Sequence, residues 1–469
     1  MVVLMVGLIA LTSGCAVLPA SGPARGLAPA SAVTADRTLA APERAWPRDD
    51  WWRAYGDAQL DQLIDEAMVG SPDVAEARAR LNKAAAVADQ AGAALSPSLE
   101  GRGAAGESKQ SYNNGIPALF VPKGYNDAGA ISLNLNYQLD LWGQNRAALA
   151  AATSEVRAAQ ADAAQARLAL TTAVAGGYAD LQRLWAEREV AQRAVQSRSE
   201  TYDLVSRRVT DGLDTQGELS QARAGPAAAR GDLAAIDEAI ALGRNQIAAL
   251  LGDGPDRGVA IVPPAAPSLT PFGLPARLSV DLVGRRPDLT AARWRAEAAS
   301  KRIGQAKAQF YPNVNLAAYV GYQSLGLANL FASGSGIGQV GPAVSLPIFQ
   351  GGRLRAGLRG ARADYDGAVA AYDKTLIQAV REVADAAAGE RALAVRRKHA
   401  DEALAASENA YRIARLRYDG GLANYQSVLL VEDAVLQNRR LAADLTARAV
   451  SLDIQLVRAL GGGFDASRK

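Results

Sequence analysis

The sequence of 469 residues contains one cysteine and one histidine, so two residue types that often carry chemistry are nearly absent. One cysteine excludes a framework of disulfide bonds, and the two residues together are too few for a cluster of soft metal ligands. The histidine, His399, follows the basic run Arg396–Lys398, and the sequence has no glycine-rich phosphate loop. We therefore predict a protein without a metal, without a cofactor and without enzymatic activity.

Aromatic residues are also scarce, at 6% of the chain, although hydrophobic residues reach 49%. Most of the apolar content is therefore small, and alanine recurs in nearly every segment. Alanine loses no rotamer entropy in a helix and lets helices approach closely, so the composition favours long, closely packed helices. The formal charge is +3, from 51 basic and 48 acidic residues. Because the two signs are interspersed, we predict no nucleic-acid partner.

The most specific local signal lies at the N-terminus. Residues 1–10 form an almost uninterrupted apolar run, and the segment Leu11–Cys15 resembles a lipobox, the cleavage site of bacterial lipoproteins. This resemblance implies a signal peptide over residues 1–14 and a mature chain that begins at an acylated, membrane-anchored Cys15. An unmodified cysteine after a short apolar segment is the alternative. Residues 15–50 are rich in Ala, Pro, Ser and Gly and are predicted to form an extended, lipid-anchored tether.

The remaining chain has the pattern of a tandem duplication. The segments that recur in the same order are Ser71–Arg78 with Arg286–Arg293, Leu95–Pro97 with Phe310–Pro312, Arg208–Leu213 with Arg417–Leu422, and Leu251–Gly252 with Leu460–Gly461. We predict a first repeat over 51–252, a proline-rich linker over 253–285, a second repeat over 286–460 and a C-terminal tail over 461–469. Each repeat is expected to hold a helix, two strands and two further helices.

Period-two alternation predicts the strands. From Ile131 to Leu141 every odd position is apolar and every even position is polar, and weaker copies occur around 99–107, 314–322 and 340–348. Each copy has about the nine to eleven residues that a tilted strand needs to cross a bilayer. A half-buried sheet of a soluble protein would show the same alternation, but the lipobox favours the membrane. Four strands cannot close a barrel, and open strand edges are not tolerated in lipid, so two, three or four copies must assemble.

Apolar residues at helical spacing, and about seventy residues without proline between Trp142 and Asp211, predict the helices. The predicted helices are Leu60–Ala94, Trp142–Asp211 and Leu219–Leu251 in the first repeat, and Asp288–Gln309, Gly352–Gly420 and a return to Leu460 in the second. Pro97 ends the first of them, because proline cannot continue the hydrogen-bond ladder. The longest stretches have about seventy residues and span on the order of 100 Å at 1.5 Å per residue. An interruption or kink is expected at Gly225–Pro226.

In this order the pattern resembles the TolC-like outer-membrane factor family, and within it the lipoprotein branch, often called NodT-like, that serves resistance-nodulation-division efflux systems. The stretches that carry the resemblance are Trp51–Asp57 with Leu60 and Leu63, Gly284–Leu289, Ile303–Ala306, Phe310–Pro312 and Arg417–Tyr425. The resemblance covers essentially the whole mature chain.

The resemblance implies an α+β membrane protein that forms a homotrimer. The four transmembrane β-strands of each chain would complete a twelve-stranded barrel in the cell outer membrane, continued by a long α-helical barrel through the periplasm. The implied function is the outer-membrane channel of a tripartite efflux pump, a passive exit duct for drugs or other small molecules. The implied partners are outer-membrane lipid, a periplasmic adaptor (membrane fusion protein) and an inner-membrane resistance-nodulation-division transporter, which supplies the energy.

Two turns, Thr210–Gln216 and Tyr418–Asn424, are implied to form the closed periplasmic tip. The expected adaptor contacts there are Asp211, Gly212, Leu213, Asp214, Gly420, Gly421 and Leu422, and the gate candidates are Arg415, Arg417, Tyr418, Glu432 and Asp433. Glycine suits such turns because it accepts positive φ; glycines that only end ordinary helices are the alternative. Our hypothesis is that the two arginines pair with acidic groups of the neighbouring hairpin, such as Asp211 or Asp214, and hold the channel shut. The family commonly has an aspartate where this chain has Leu430.

Other transport functions stay open at this point: the channel of a type I protein secretion system, the channel of a metal-cation efflux system, and a periplasm-spanning lipoprotein without a pore. The lipobox favours small-molecule efflux, because secretion channels of this family often lack an acyl group. A metal duct would be expected to recruit methionine or histidine, and the mature chain has only Met68 and His399.

Overall fold

The computed structural model describes residues 25–467 except 30, 31, 34, 36, 266–268, 270, 271 and 277. The predicted signal peptide and the lipidation site Cys15 lie outside the described residues. The described chain is mostly helical and contains one antiparallel sheet. No helix in this part of the chain combines the length and the apolar composition that crossing a membrane requires.

The chain divides into two compact units. Over the described residues, one comprises Arg25–Leu27, Leu81–Ala159 and Ala292–Tyr372; the other comprises Ala28–Arg80, Gln160–Ala291 and Asp373–Ser467. Each unit therefore takes segments from both halves of the sequence, so residues that are distant in the chain fold together.

The four predicted strands are confirmed, with shifted ends. They are β1 (Ser98–Ser108), β2 (Asn126–Leu139), β3 (Asn313–Leu325) and β4 (Gly336–Ser345), and they form a sheet in the order β1-β2-β3-β4 in which every neighbouring pair is antiparallel. Two predicted ends were wrong: Leu141 lies beyond β2, and Ile348 lies beyond β4.

Two of the α-helices are far longer than those of ordinary globular domains. The α-helices of the described chain are α1 (Ala58–Gly70), α2 (Pro72–Ala93), α3 (Gln144–Thr210), α4 (Gln216–Leu251), α5 (Pro255–Val259), α6 (Leu278–Arg285), α7 (Pro287–Ala308), α8 (Arg353–Asp419) and α9 (Tyr425–Ala459). Helices α3 and α8 each have 67 residues, which corresponds to about 100 Å. The predicted long helices are thereby confirmed.

The predicted first helix, Leu60–Ala94, is in fact two helices, α1 and α2. Ser71 between them has extended backbone, with φ −66° and ψ 125°, because the residue before a proline is disfavoured in the α region. Pro72 then occupies the first position of α2, where its missing N–H costs no hydrogen bond. Asp57 caps α1, since its carboxylate accepts from the backbone N–H groups of Gln59 and Leu60 at 2.9 and 3.2 Å.

The interruption predicted at Gly225–Pro226 is absent, because α4 continues through it. Pro226 is buried, so its packing offsets the backbone hydrogen bond that proline removes. The predicted linker over 253–285 also carries regular structure, namely α5 and α6.

The described residues of the predicted tether, from Ala28 onward, contact the helices of their unit. The backbone N–H of Ala28 donates to Asp373 at 3.1 Å, and Arg391 donates to the carbonyl of Thr38 at 2.8 Å. Further along, the backbone N–H of Arg44 donates to the carbonyl of Leu274, and the N–H of Leu274 donates to the carbonyl of Pro42, both at 2.9 Å. The side chain of Arg44 pairs with Asp453 at 3.2 Å. This segment is therefore docked on the helices of its unit.

Candidate functional site

The sheet has one apolar face and one polar face, and the strand register defines both. The apolar face carries Leu99, Gly101, Gly103, Ile131, Leu133, Leu135, Tyr137, Leu139, Val314, Leu316, Ala318, Val320, Tyr322, Gly336, Gly338, Val340, Pro342 and Val344. The opposite face carries Glu100, Arg102, Ser132, Asn134, Asn136, Asn315, Tyr319 and Gln339 among its members. Large apolar side chains stand exposed on the first face, with Val320 63% and Val340 75% accessible.

The edges of this sheet are open. Strands β2 and β3 have a partner on both sides, whereas β1 and β4 each have one partner in the described chain. Each outer strand therefore presents a row of N–H and C=O groups that another strand could pair with.

The two predicted tip turns share one backbone geometry. In the first, Leu213 N–H bonds to Arg208 C=O at 2.8 Å and Gly212 N–H bonds to Val209 C=O at 3.1 Å. In the second, the same two bonds join Leu422 to Arg417 at 2.7 Å and Gly421 to Tyr418 at 2.9 Å. This is the helix-ending pattern in which the residue after the helix adopts a left-handed conformation. Gly212 (φ 74°) and Gly421 (φ 72°) supply it without strain.

The next helix begins in the same way after each turn. Thr215 and Glu218 form a reciprocal capping box at the start of α4, and Asn424 accepts from the N–H of Ser427 at 3.1 Å at the start of α9. Each side chain satisfies donors that a helix start leaves unpaired. Both loops are therefore held by their own residues.

A buried polar network joins the two hairpins beside these turns; we call Arg208, Asp214 and Tyr418 the tip network. Arg208 donates to both carboxylate oxygens of Asp214, with Nε–Oδ2 3.0 Å and Nη2–Oδ1 3.3 Å. The hydroxyl of Tyr418 donates to the same carboxylate at 2.5 Å, and Arg208 also donates to the Tyr418 carbonyl at 3.3 Å. The guanidinium lies 4.6 Å from the centre of the Tyr418 ring.

The network is shielded from water. The side chains of Asp214 and Arg208 are 6% and 15% accessible, and Tyr418 is fully buried in an apolar cluster with Val205, Ala222, Tyr425 and Val428. Burial acts to raise the pKa of Asp214, but the hydrogen bonds from Arg208 and Tyr418 outweigh it and lower that pKa. The carboxylate is therefore charged and tightly held at neutral pH.

A second polar cluster lies further from the turns, on α3, α8 and α9. The Ser197 hydroxyl donates to Glu432 Oε1 at 2.7 Å and lies 2.9 Å from the Tyr411 hydroxyl. The neighbouring Arg198 pairs with Asp433 at 2.7 Å. Glu432 is 3% accessible, and its second oxygen, Oε2, has no hydrogen-bond partner within the described chain.

The arginine that binds Asp214 is not one of those that the sequence singled out. Arg415 pairs with Glu200 at 3.4 Å, and Arg417 is exposed, with no ion pair to any residue that the structure describes. The pairing of these two arginines with Asp211 or Asp214 is therefore not present within the chain. The hypothesis missed Arg208 because it sought a partner for Asp214 in the neighbouring hairpin, whereas Arg208 and Asp214 belong to the same hairpin. The sequence signal for Arg208 is its position one helical turn before a glycine turn that contains an aspartate.

The other gate candidates lie in different places. Tyr418 meets Asp214, whereas Glu432 and Asp433 belong to the second cluster. Leu430, the position where the family commonly has an aspartate, is 74% accessible. Six of the seven expected adaptor contacts are accessible at the turns, with Leu213 64% and Leu422 73% accessible. The seventh, Asp214, is wrong as a surface contact, because its carboxylate is buried in the tip network.

Comparison with known proteins identifies the family. The model of the family described as "outer membrane efflux protein" matches residues 63–253 and 278–462. The chain belongs to that family. Fusaric acid resistance protein FusA of Burkholderia cepacia is 38% identical to this efflux protein over 369 residues, which are 77% of this chain and 68% of FusA. Multidrug resistance outer membrane protein MdtP of Escherichia coli K12 is 33% identical over 477 residues, which are 98% of this chain and 96% of MdtP.

A solved structure supports the same identification. The crystal structure of the outer membrane protein VceC from Vibrio cholerae matches with a TM-score of 0.84 and 45% identity, and the match covers 90% of this chain and 100% of VceC. The predicted family and the predicted function are thereby confirmed: this efflux protein is an outer-membrane channel of an efflux pump. Members of the family are channels and not enzymes.

Proposed function

We propose that three copies of this chain form the exit duct. The observation that carries the proposal is the four-stranded sheet with two open edges and faces of opposite polarity. An open edge is costly in lipid, and pairing β1 of one copy with β4 of the next would remove every edge. The apolar face would then contact lipid and the polar face would line a water-filled lumen. Three is the copy number that the resemblance to TolC-like factors implies, giving a twelve-stranded barrel.

The test of this assembly uses the purified, acylated full-length protein. We expect a trimer by native mass spectrometry in mild detergent and step-like conductance in planar bilayers. A single copy that needs no detergent once its acyl group is removed would contradict the proposal.

Two features support the proposal that α3, α4, α8 and α9 build a periplasmic barrel. Helices α3 and α8, at about 100 Å each, are far longer than a bilayer is thick. Their connecting turns carry exposed leucines, which suit contact with the hairpin of an adaptor protein. Under this proposal Leu213→Asp and Leu422→Asp weaken co-purification with the adaptor, whereas Leu242→Asp, at an exposed leucine within α4, leaves it unchanged.

The cargo that we propose is small organic molecules, driven by an inner-membrane resistance-nodulation-division transporter. MdtP is a multidrug resistance protein and FusA is a fusaric acid resistance protein, which supports this class. Expression with a matching adaptor and transporter in a strain without its own outer-membrane channel is expected to restore drug resistance. If the strain stayed as drug-sensitive as it is without the channel, although the trimer had assembled, the proposed cargo would be contradicted.

We further propose that the tip network closes the duct. Arg208, Asp214 and Tyr418 tie the first turn to the end of α8 in the described chain. A bidentate arginine–carboxylate contact is stronger and more specific in geometry than a neutral hydrogen bond. Opening the tip would require the two hairpins to part, and these contacts oppose that movement.

The N-terminal lipid anchor at Cys15, after a signal peptide over 1–14, also remains a proposal. Mass spectrometry of the mature N-terminal peptide tests it, with Cys15→Ser as the control that loses the acyl mass. The tandem duplication is supported by the shared geometry of the two turns and by the two segments that the family model matches.

A further inference from the structure

Glu432 is a carboxylic acid buried among three helices. It lies on α9 and is 3% accessible, and only one of its two oxygens has a hydrogen-bond partner in the described chain. Oε1 accepts from Ser197 at 2.7 Å, while Oε2 is buried without a partner. A charged carboxylate in such a place would bear its charge partly on an oxygen that is out of reach of bulk water and has no hydrogen-bond partner in the described chain, which is costly.

The groups around Glu432 do not neutralise it. From α3, Arg198 is the nearest cation, but its Nη2 pairs with Asp433 at 2.7 Å and its Nε is buried without a hydrogen-bond partner. From α8, Arg415 pairs with Glu200 at 3.4 Å. The cations of the cluster are thus matched to other carboxylates.

Two tyrosines complete the surroundings. Tyr411 of α8 lies 2.9 Å from the Ser197 hydroxyl, so hydroxyl groups link α8, α3 and the carboxyl group of α9 in one chain of hydrogen bonds. Tyr425 of α9 is buried near the same site. On α4, the residue that packs against the Arg198 side chain is Gly225, which has no charge. Burial raises the pKa of Glu432, ahead of the opposing effects of the Ser197 hydrogen bond and of Arg198.

We propose that Glu432 is a proton-binding site that joins the two hairpins of the closed channel. The neutral acid lets α3, α8 and α9 pack around it. Loss of the proton to bulk water leaves a buried negative charge that competes with Asp433 for Arg198, and this loosens the contact between the hairpins. The sign follows from linkage: a buried acid with a raised pKa stabilises the closed packing below that pKa, and the stabilisation is lost as the pH rises through it.

This inference rests on the proposed gate, but its first test does not need conductance. Infrared difference spectroscopy of the full-length protein during a pH titration reports protonated carboxyl groups directly. Burial also raises the pKa of Glu390, so the reading is the difference between variants. We expect the band of protonated carboxyl groups above the ordinary glutamate pKa to contain a Glu432 band, a component that is lost in Glu432→Gln and retained in Glu408→Gln. Glu408 is the matched control because it pairs with Arg439 between α8 and α9 at an accessible site. A band of equal intensity in wild type and Glu432→Gln overturns the proposal.

The second test is the open probability in planar bilayers over the same pH range. The wild-type channel is expected to open more often as the pH rises, by at most about a thousandfold per pH unit, because each of the three chains releases one proton. In Glu432→Gln the open probability stays, over the same pH range, at the low value that the wild type has at acidic pH, because glutamine resembles the neutral acid.

Ser197→Ala shifts both the band and the opening to higher pH, because the lost hydrogen bond favoured the carboxylate. A Glu432→Gln channel that keeps the wild-type pH response overturns the proposal. A wild-type protein that conducts at no pH refutes the proposed duct, and the infrared result then still decides whether Glu432 holds a proton.

Discussion

The Tyr418 hydroxyl donates a hydrogen bond to Asp214 at 2.5 Å, and so the last turn of α8 is tied to the loop between α3 and α4. Arg208 binds the same carboxylate through two of its nitrogens. Three side chains from two hairpins therefore share one buried contact. The equivalent arginine of the second turn, Arg417, has no such contact in the described chain, and this asymmetry allows the role of the network to be tested.

Arg208→Gln is expected to open the channel. Hydrogen bonds to charged groups contribute about 1.5–3 kcal/mol each, and each 1.4 kcal/mol is about tenfold in an equilibrium. We expect at least about a tenfold rise in open probability in planar bilayers. Arg417→Gln is the matched control, because it removes the same charge at the same position of the other turn. Equal opening by both variants would show that Arg417 makes an essential contact with a neighbouring copy.

Acid is expected to release the tip network. Asp214 has a lowered pKa, so the stability that it contributes is present above the ordinary aspartate pKa and is lost as the pH falls through the lowered value. The closed channel should therefore resist mild acid and open only below about pH 4. Tyr418→Phe removes a hydrogen bond that lowers this pKa, so the opening moves to higher pH.

The measurement for the acid response is conductance during acid titration. Tyr202→Phe is the control, since Tyr202 packs in the same cluster but its hydroxyl does not contact Asp214. An acid response that is unchanged in Tyr418→Phe would refute the assignment to Asp214.

Charge on the two sheet faces is expected to have opposite consequences. Leu133→Arg places a cation on the apolar face, at a cost of about 2–4 kcal/mol per copy near the middle of a bilayer. Asn134→Arg changes the next residue, which points to the polar face. We expect the first variant to lose heat-modifiable trimer in outer-membrane fractions and the second to assemble with a raised preference for anions. Normal assembly of both variants would mean that the apolar face does not contact lipid.

The contact between the N-terminal segment and the helices is expected to depend on Arg44. Its partner Asp453 is buried and also accepts from Tyr55 at 2.8 Å, so Arg44→Gln leaves a buried carboxylate with one partner fewer. We expect a loss of about 1–3 kcal/mol, a lower melting temperature and faster tryptic cleavage within residues 25–50. Arg48→Gln should cost less than about 1 kcal/mol, because the Arg48–Asp50 pair is exposed. Equal protease sensitivity of wild type and Arg44→Gln would show that other contacts hold the segment.

Short-range patterns in the sequence predicted the strands, the long helices and the turns. Alternation at period two fixes which side of a strand each residue occupies, so the residues from Ile131 to Leu139 could be assigned to opposite faces before any pairing was known. The glycines at 212 and 421 likewise marked helix ends, because a left-handed residue ends a helix wherever it occurs. The ordered set of motifs was enough to indicate the family, which the comparisons confirm.

The sequence was less reliable where two local preferences compete. Pro72 begins a helix where one continuous helix, Leu60–Ala94, had been predicted. Pro226 lies inside a helix where an interruption had been predicted. A proline is tolerated at a first helical position, and a buried proline is tolerated where packing compensates for it. Local sequence does not contain the packing that decides the second case.

What the sequence alone determined about this protein is the order, type and polarity of its elements, because these depend on neighbours within one or two turns. Only the tertiary structure decided that Asp214 binds Arg208 and Tyr418, that Asp453 holds the N-terminal segment, and that Glu432 is buried with one oxygen unpaired. Those contacts join residues up to several hundred positions apart. Which of several nearby charges becomes a partner depends on how helices from both halves pack, and the periodicity of either half does not contain that information.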